Sequence, residues 1–456
     1  MKKKTYLCGL LGLLLALLYF LLWENVFDES WNNASRLALF IFMLTAFLWI
    51  TELIPLHITS FVVLFTELVF LLPMMQSEGL EISKKAFFAP FFSDIILLFM
   101  GGFVLSDLLN RYGISRRITS VALGKRTWRP SIFVLVLMLL TVFFSMWISN
   151  TATTAMILAL IIPIAMSNGG HPNIRKLLPI AIAFAANIGG LATPIGSPPN
   201  AIALGFLERQ GYHISFFTWI VLMLPFVAVL LFVIWRTLMK LYPVDTIAFE
   251  SLGEDKNIAG GLSNIQKTVC GIFLVTVFAW VTAGIHPLKN GEISLAMMIV
   301  VFGTGLLKAE DFKKISWNIL IILGGGMALG IAVEESGLAS KIIDYVPIDG
   351  SESGVIGSIM FISATLTTFI NNTATANLIV PLSVHLGEFA LSAVLACTVM
   401  CSTNMALSIS TPPNVLAFGI GELSFKDIFL PGIIISVVSM LLLIPFLAYS
   451  KFILGY

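Results

Sequence analysis

Two short polar stretches interrupt long apolar runs, and both carry side chains able to hold an ion. Ser149-Asn150-Thr151-Ala152-Thr153-Thr154 divides the run 131–166, and Asn371-Asn372-Thr373-Ala374-Thr375-Ala376 divides 354–387. Asn amides donate through nitrogen and accept through oxygen, and Ser and Thr hydroxyls do both. Each stretch also opens a helix, expected to start near Thr153-Thr154 and near Thr375-Ala376. Free N–H groups and the positive dipole end of a helix start favour an anion. Downstream of each stretch an apolar run breaks again: 177–207 at Thr193-Pro194-Ile195-Gly196-Ser197-Pro198-Pro199-Asn200, and 391–421 at Ser410-Thr411-Pro412-Pro413-Asn414. Proline there keeps intrahelical bonds from closing, which leaves carbonyls for a hard monovalent cation such as Na+. No Lys or Arg lies inside the four segments. An anion held here would rely on neutral donors, helix dipoles and co-bound cations. The cations would cancel charge that is costly at mid-membrane.

The elements that carry these residues are membrane spans. Of the 456 residues, 58% are hydrophobic and only 11% charged, and apolar runs of spanning length recur from end to end. That composition indicates a polytopic all-α membrane protein. Lipid offers the backbone no partners, so only helices or a closed barrel can cross it; the runs are continuous rather than alternating, which excludes a barrel. About 11 transmembrane helices are expected. Residues 1–24 are read as a leading helix rather than a cleaved signal, because no small-residue cleavage pattern follows. Residues 35–240 and 267–456 share one order of features: a Gly-Gly span, an Asn-Thr-Ala-Thr break, a helix broken at Pro-Pro-Asn and a last span. A polar linker, 241–266, separates them, and an internal duplication is expected.

The arms after the polar breaks are short. Residues 155–166 cover about 18 Å as helix and 374–387 about 21 Å at 1.5 Å per residue, less than the roughly 30 Å hydrocarbon core. Segments 131–166 and 354–387 are therefore expected to be re-entrant hairpins with polar tips near mid-membrane. With the amino terminus cytoplasmic, most of the 26 Lys and Arg residues fall on cytoplasmic segments, as the positive-inside rule requires. Five crossings per half make the two repeats inverted, so that the hairpins enter from opposite sides.

Other reactive residues offer less. Cys8, Cys270, Cys397 and Cys401 are scattered, and the five His residues show no pair at i, i+4, so neither metal-ligand spacing nor a nucleophile with its base is present. An enzyme is not expected, and no basic cluster with interleaved aromatics points to nucleic acid. Glu67 is separate. It stands in mid-span in Phe65-Thr66-Glu67-Leu68, and an intramembrane carboxylate is a functional candidate by default, as a proton relay or cation ligand.

Ser149-Asn150-Thr151 and Asn371-Asn372-Thr373, taken with Gly196-Ser197-Pro198-Pro199-Asn200 and Thr411-Pro412-Pro413-Asn414, resemble the divalent anion/sodium symporter family, which includes di- and tricarboxylate transporters and sodium–sulfate symporters. The resemblance covers nearly the whole chain. It implies homodimers in the inner (cytoplasmic) membrane and an elevator-like movement of a transport domain against a scaffold. It also implies at least two Na+ sites, the first from Ser145, Ser149, Asn150 and Gly196, the second from Thr367, Ile370, Asn372 and Ser410. Substrate contacts are implied for Asn150, Thr151, Asn372, Thr373, Thr411 and Pro412. Asn371 stands where the family usually has Ser. Glu67 falls in the scaffold, where a structural or subunit-interface role is implied. The expected activity is Na+-coupled symport of a divalent organic anion, a C4-dicarboxylate such as succinate, malate or fumarate; the rival readings are a sodium–sulfate symporter and a sodium-independent dicarboxylate or citrate exchanger.

Overall fold

The computed structural model describes residues 12, 31–124, 128–167, 172–244, 261–345, 351–420 and 423–455. The leading helix expected over 1–24 and most of the linker 241–266 lie outside the described residues. Among the described residues every regular element is a helix. Among the described residues nine helices are long and apolar enough to cross a membrane, and four shorter apolar helices accompany them.

The first half begins with α1 (Asn33–Thr51), which Asn32 caps by accepting from the Ser35 N–H, and continues into α2 (Leu56–Thr66). A π-helical turn, Glu67–Leu71, links α2 to α3 (Leu72–Ser77). The span expected over 56–72 thus runs on to Ser77 as a 22-residue helix, Leu56–Ser77, with a wide turn inside it. Pro73 explains the turn: it has no N–H to offer the preceding turn, and its ring crowds the carbonyl four residues back. Next come α4 (Lys84–Phe88), α5 (Asp94–Arg111) and the short amphipathic α6 (Ile114–Leu123), which buries Ile114, Ser115, Thr119 and Leu123. The hairpin is α7 (Pro130–Ser145) and α8 (Asn150–Ser167). The broken helix is α9 (Pro172–Gly189), a 3₁₀ turn Gly190–Ala192 and α10 (Pro198–Arg209), and α11 (Phe216–Leu241) closes the half.

The second half follows the same order. It comprises α12 (Asn264–Val281), α13 (Asn290–Gly303), the one-turn α14 (Ala309–Phe312), α15 (Trp317–Glu335) and the amphipathic α16 (Leu338–Tyr345). Its hairpin is α17 (Glu352–Phe369) with α18 (Asn372–Ser383), its broken helix α19 (Ala390–Thr403) with α20 (Pro412–Phe418), and its last span α21 (Phe425–Leu454). Gly113 (φ 65°) and Gly337 (φ 75°) turn the chain from α5 into α6 and from α15 into α16. Both need the left-handed region, which glycine enters without steric cost.

Burial sorts the helices. Around α9 the spanning window is 89% buried, whereas in α12 it is 17% buried. The broken helix is therefore the centre of the molecule and α12 its lipid-facing rim. Leu274, Val275 and Phe278 on α12 and Ile299 on α13 are exposed, as side chains facing acyl chains should be.

Candidate ion and substrate site

Both polar tips start helices, and both start them three residues earlier than expected, at Asn150 and Asn372. The reason is capping. Ser149 Oγ accepts from the Ala152 N–H at 3.3 Å, and Asn371 Oδ1 accepts from the Ala374 N–H at 2.8 Å. Side-chain caps satisfy the donors that would otherwise be exposed, so the helix extends back to the tip itself. Asn371, in place of the family's Ser, serves as a cap.

The two tips share one hydrogen-bond device. Ser145 Oγ donates to Asn150 Oδ1 at 2.6 Å and approaches the Ala186 carbonyl at 2.7 Å. Thr367 Oγ1 donates to Asn372 Oδ1 at 2.8 Å and approaches the Cys401 carbonyl at 3.5 Å. In each case a buried hydroxyl five residues before the tip Asn meets that amide oxygen and a carbonyl of the broken helix. The amide oxygen is thereby engaged, and the Nδ2 hydrogens of both Asn residues are left to donate elsewhere.

The first tip is packed into the break. A Cβ on Gly190 would lie 2.6 Å from Asn150 Oδ1 and 2.9 Å from the Gly196 carbonyl, and one on Gly196 would lie 2.5 Å from the Gly190 carbonyl. Ser145, Asn150 and Gly196 of the implied first set are thus brought together with Gly190, while Ser149 caps α8 and borders a cavity instead. In the second set Thr367 and Asn372 are joined. Ile370 is extended and buried, and Ser410 turns its hydroxyl onto the Leu407 carbonyl at 2.8 Å. Among the described residues neither is hydrogen-bonded to Thr367 or Asn372. Of the implied substrate contacts, Thr411 is buried, Asn150, Asn372 and Thr373 are half-buried, and Thr151 and Pro412 are exposed.

The prolines act differently from the expectation. Pro198 and Pro412 are the first residues of α10 and α20, where a missing N–H costs nothing. Nor are all the nearby carbonyls free. Asn200 Nδ2 donates to the Gly190 and Thr193 carbonyls, both at 2.8 Å. Asn414 Nδ2 likewise donates to the Met405 and Leu407 carbonyls, at 3.0 and 2.9 Å. The Asn of each Pro-Pro-Asn therefore braces its own break, because a buried carbonyl without a donor is expensive. The second break is also longer than expected and begins at Asn404. Its amide donates to Ala364 O and Thr368 Oγ1, drawing the chain off the helix axis with no Gly or Pro to signal it.

Asn187 joins the halves. Its Nδ2 donates to Thr411 Oγ1 at 3.0 Å and to Asn414 Oδ1 at 3.1 Å, and it is 2% exposed. Counted back from the Asn of Pro-Pro-Asn, the corresponding residue of the second half is Cys401, which carries no amide, and among the described residues the tie is not repeated. Helix packing repeats the crossing: α8 packs on α9 and α20, and α18 packs on α19 and α10. Each tip helix thus touches the other half's broken helix. A signal for Asn187 was present, an amide in an Ala- and Gly-rich helical stretch, but its partner lies 224 residues away.

One cavity borders the first tip and another the first break. One, of about 180 Å³, is lined by Ser149, Ala152, Asp107, Asn110, Asp311 and Lys314 among others, and another, of about 200 Å³, is lined by Pro194, Asp94 and His213 among others. Asp311 pairs with Arg111 and, at 2.9 Å, with Lys314. The Lys308 backbone N–H first, then the Lys314 side chain, hold the Asp311 carboxyl at about 2, below its ordinary 3.8. Among the described residues no cluster of three or more His, Cys, Asp or Glu side chains is placed to hold a transition metal.

Comparison with known proteins places this arrangement. A citrate transporter family profile matches residues 46–401. The sodium-dependent dicarboxylate transporter SdcS of Staphylococcus aureus (strain USA300) is 30% identical over 98% of this chain and 92% of its own length. Its Staphylococcus saprophyticus counterpart is 30% identical over 97% and 92%. An uncharacterised transporter of Schizosaccharomyces pombe is 29% identical over 91% of this chain, which spans about half of that protein, 49%. The chain belongs to the divalent anion/sodium symporter family. It is a multi-pass membrane transporter and not an enzyme. In this family member the two tips and the two breaks form one packed block.

Proposed function

We propose that this symporter-family protein couples Na+ to the uptake of divalent organic anions, with C4-dicarboxylates such as succinate, malate or fumarate as substrates. The observation that carries the reading is the duplicated device, Ser145 on Asn150 and Thr367 on Asn372. Two helix starts each present Asn Nδ2 donors, which suit the two carboxylates of a diacid. Carbonyl and hydroxyl oxygens beside them suit Na+. The names of the SdcS relatives support both ions. At least two Na+ sites are proposed, one at Ser145, Ser149, Asn150 and Gly196 and one at Thr367, Ile370, Asn372 and Ser410. Thr151, Thr373, Thr411 and Pro412 complete the anion contacts. The two halves act as inverted repeats, and the block of hairpins and broken helices moves elevator-fashion against the remaining helices. The protein works as a homodimer in the inner membrane with its amino terminus cytoplasmic.

The test is uptake by the purified full chain in proteoliposomes. Radiolabelled succinate should accumulate with an inward Na+ gradient and not in choline medium. Ser145→Ala and Thr367→Ala should each raise the Na+ concentration needed for half-maximal uptake. Equal uptake without Na+ would replace symport by exchange. The citrate description of the family profile favours one second reading, a tricarboxylate substrate, and competition by citrate but not succinate would establish it. Competition by sulfate alone would establish the sulfate symporter.

A further inference from the structure

Glu67 belongs to none of the sites above. It opens the π turn Glu67–Leu71, its side chain is 0% exposed, and neither carboxylate oxygen has a hydrogen-bond partner. Full burial inside one chain means that a second copy cannot reach it directly, so it is not a subunit-interface contact. It lies seven residues after Ser60, on the same helix face. That face is tight: a Cβ on Gly325 of α15 would lie 2.3 Å from Ser60 Cβ.

Among the described residues the elements packed against the π turn are α1, α2, α3, α4 and α15. Their ionisable groups sit at the ends of the elements. Arg36 lies near the start of α1 and Glu52 just beyond its end; His57 lies near the start of α2; Glu78 follows α3; Lys84 and Lys85 open α4; Glu334 and Glu335 close α15. None of them is ion-paired or hydrogen-bonded to Glu67. Glu78 instead accepts from the Asn33 and Ala34 N–H groups. An ionised carboxylate in such surroundings would face several kcal/mol of uncompensated desolvation. A carboxylic acid would not. Single π turns in helices gather at functional sites, and this one places an acid where no cation among the described residues compensates it.

We propose that Glu67 is a proton-binding site: it carries a proton in the conformation described, and it ionises only in a conformation that admits water or a donor to the π turn. The ligand is H+, distinct from the Na+ and anion sites at the tips. Proton occupancy is thereby tied to how tightly α2 and α15 are packed.

The test uses the full chain in lipid and two neutral replacements, Glu67→Gln and Glu67→Leu. Infrared difference spectra of wild type minus each variant at neutral pH should show the C=O stretch of one protonated carboxylic acid. This readout needs no substrate, so it stands or falls apart from the proposed function. Uptake by both variants should stay within about twofold of wild type at neutral pH, and only wild type should lose activity in alkaline medium. A carboxylate band in the difference spectrum would overturn the proposal. So would a loss of about tenfold or more in both neutral variants with activity kept in Glu67→Asp, which would show that a charge is required. Failure of both neutral variants to assemble would overturn it equally, since a neutral side chain is what the site is argued to hold.

Discussion

Replacing Asn187 by Ala removes the tie between the two breaks, and its cost can be worked from the contacts. Two hydrogen bonds go, those to Thr411 Oγ1 and Asn414 Oδ1. Thr411 Oγ1 keeps the Asn414 N–H at 3.3 Å, so it is weakened rather than orphaned. Asn414 Oδ1 loses this donor in a fully buried position. A stranded buried acceptor costs about 1–3 kcal/mol, while interhelical bonds in membranes average nearer 0.6 kcal/mol. About 1–2 kcal/mol is therefore expected, a factor of about 5 to 30 in an equilibrium. Because Thr411 is a proposed anion contact, the loss should appear as a higher KM for succinate with Vmax changed less. The assay is concentration-dependent uptake in proteoliposomes, paired with thermal melts in detergent with and without succinate and Na+. Unchanged KM together with an unchanged Tm would refute the reasoning. An equal fall in Vmax with KM constant would show that Asn187 supports folding and not the anion contact.

Gly190→Ala should abolish uptake, because its Cβ would press on Asn150 Oδ1 and on the Gly196 carbonyl at 2.6 and 2.9 Å; neither neighbour can retreat without breaking the tip or the break. Uptake at wild-type rates would show that Asn150 is not held where described. The Arg111–Asp311–Lys314 cluster sets a pH window. With Asp311 held at about 2 against an ordinary 3.8, folding gains stability that is fully present above 3.8 and is lost as pH falls through about 2. Thermal melts of wild type and Asp311→Asn should therefore differ by a constant amount at neutral pH and converge in strong acid; a difference that vanished already near neutral pH would contradict the pairing.

The parts of the site that could be read from sequence are those where a local chemical rule is broken. Asn150 and Asn372 stand out because amides are rare in apolar runs, and Pro198 and Pro412 because proline ends a helix. The parts that could not be read depend on partners far away in the chain. Nothing near Asn187 announces Thr411, and nothing in Asn404-Met405-Ala406-Leu407 announces that the helix has ended, since its cause is the Asn404 amide reaching Ala364 and Thr368. The double duty of Pro-Pro-Asn is not legible for the same reason: helix start and carbonyl brace are one motif, but only the three-dimensional turn brings the amide to its own upstream carbonyls. The π turn had a local cue, Pro73, whose effect is felt one turn earlier.

The glycine corners at Gly113 and Gly337 have a mechanical consequence. Each corner is followed by a short arm, 10 residues in Ile114–Leu123 and 8 in Leu338–Tyr345, or about 15 and 12 Å of rod. If the proposed elevator movement turned these arms about their corners, each end would sweep an arc whose radius is the arm's length, so those two lengths would bound the stroke. Stiffening either corner would then shorten that stroke and leave the proposed ion-holding residues untouched.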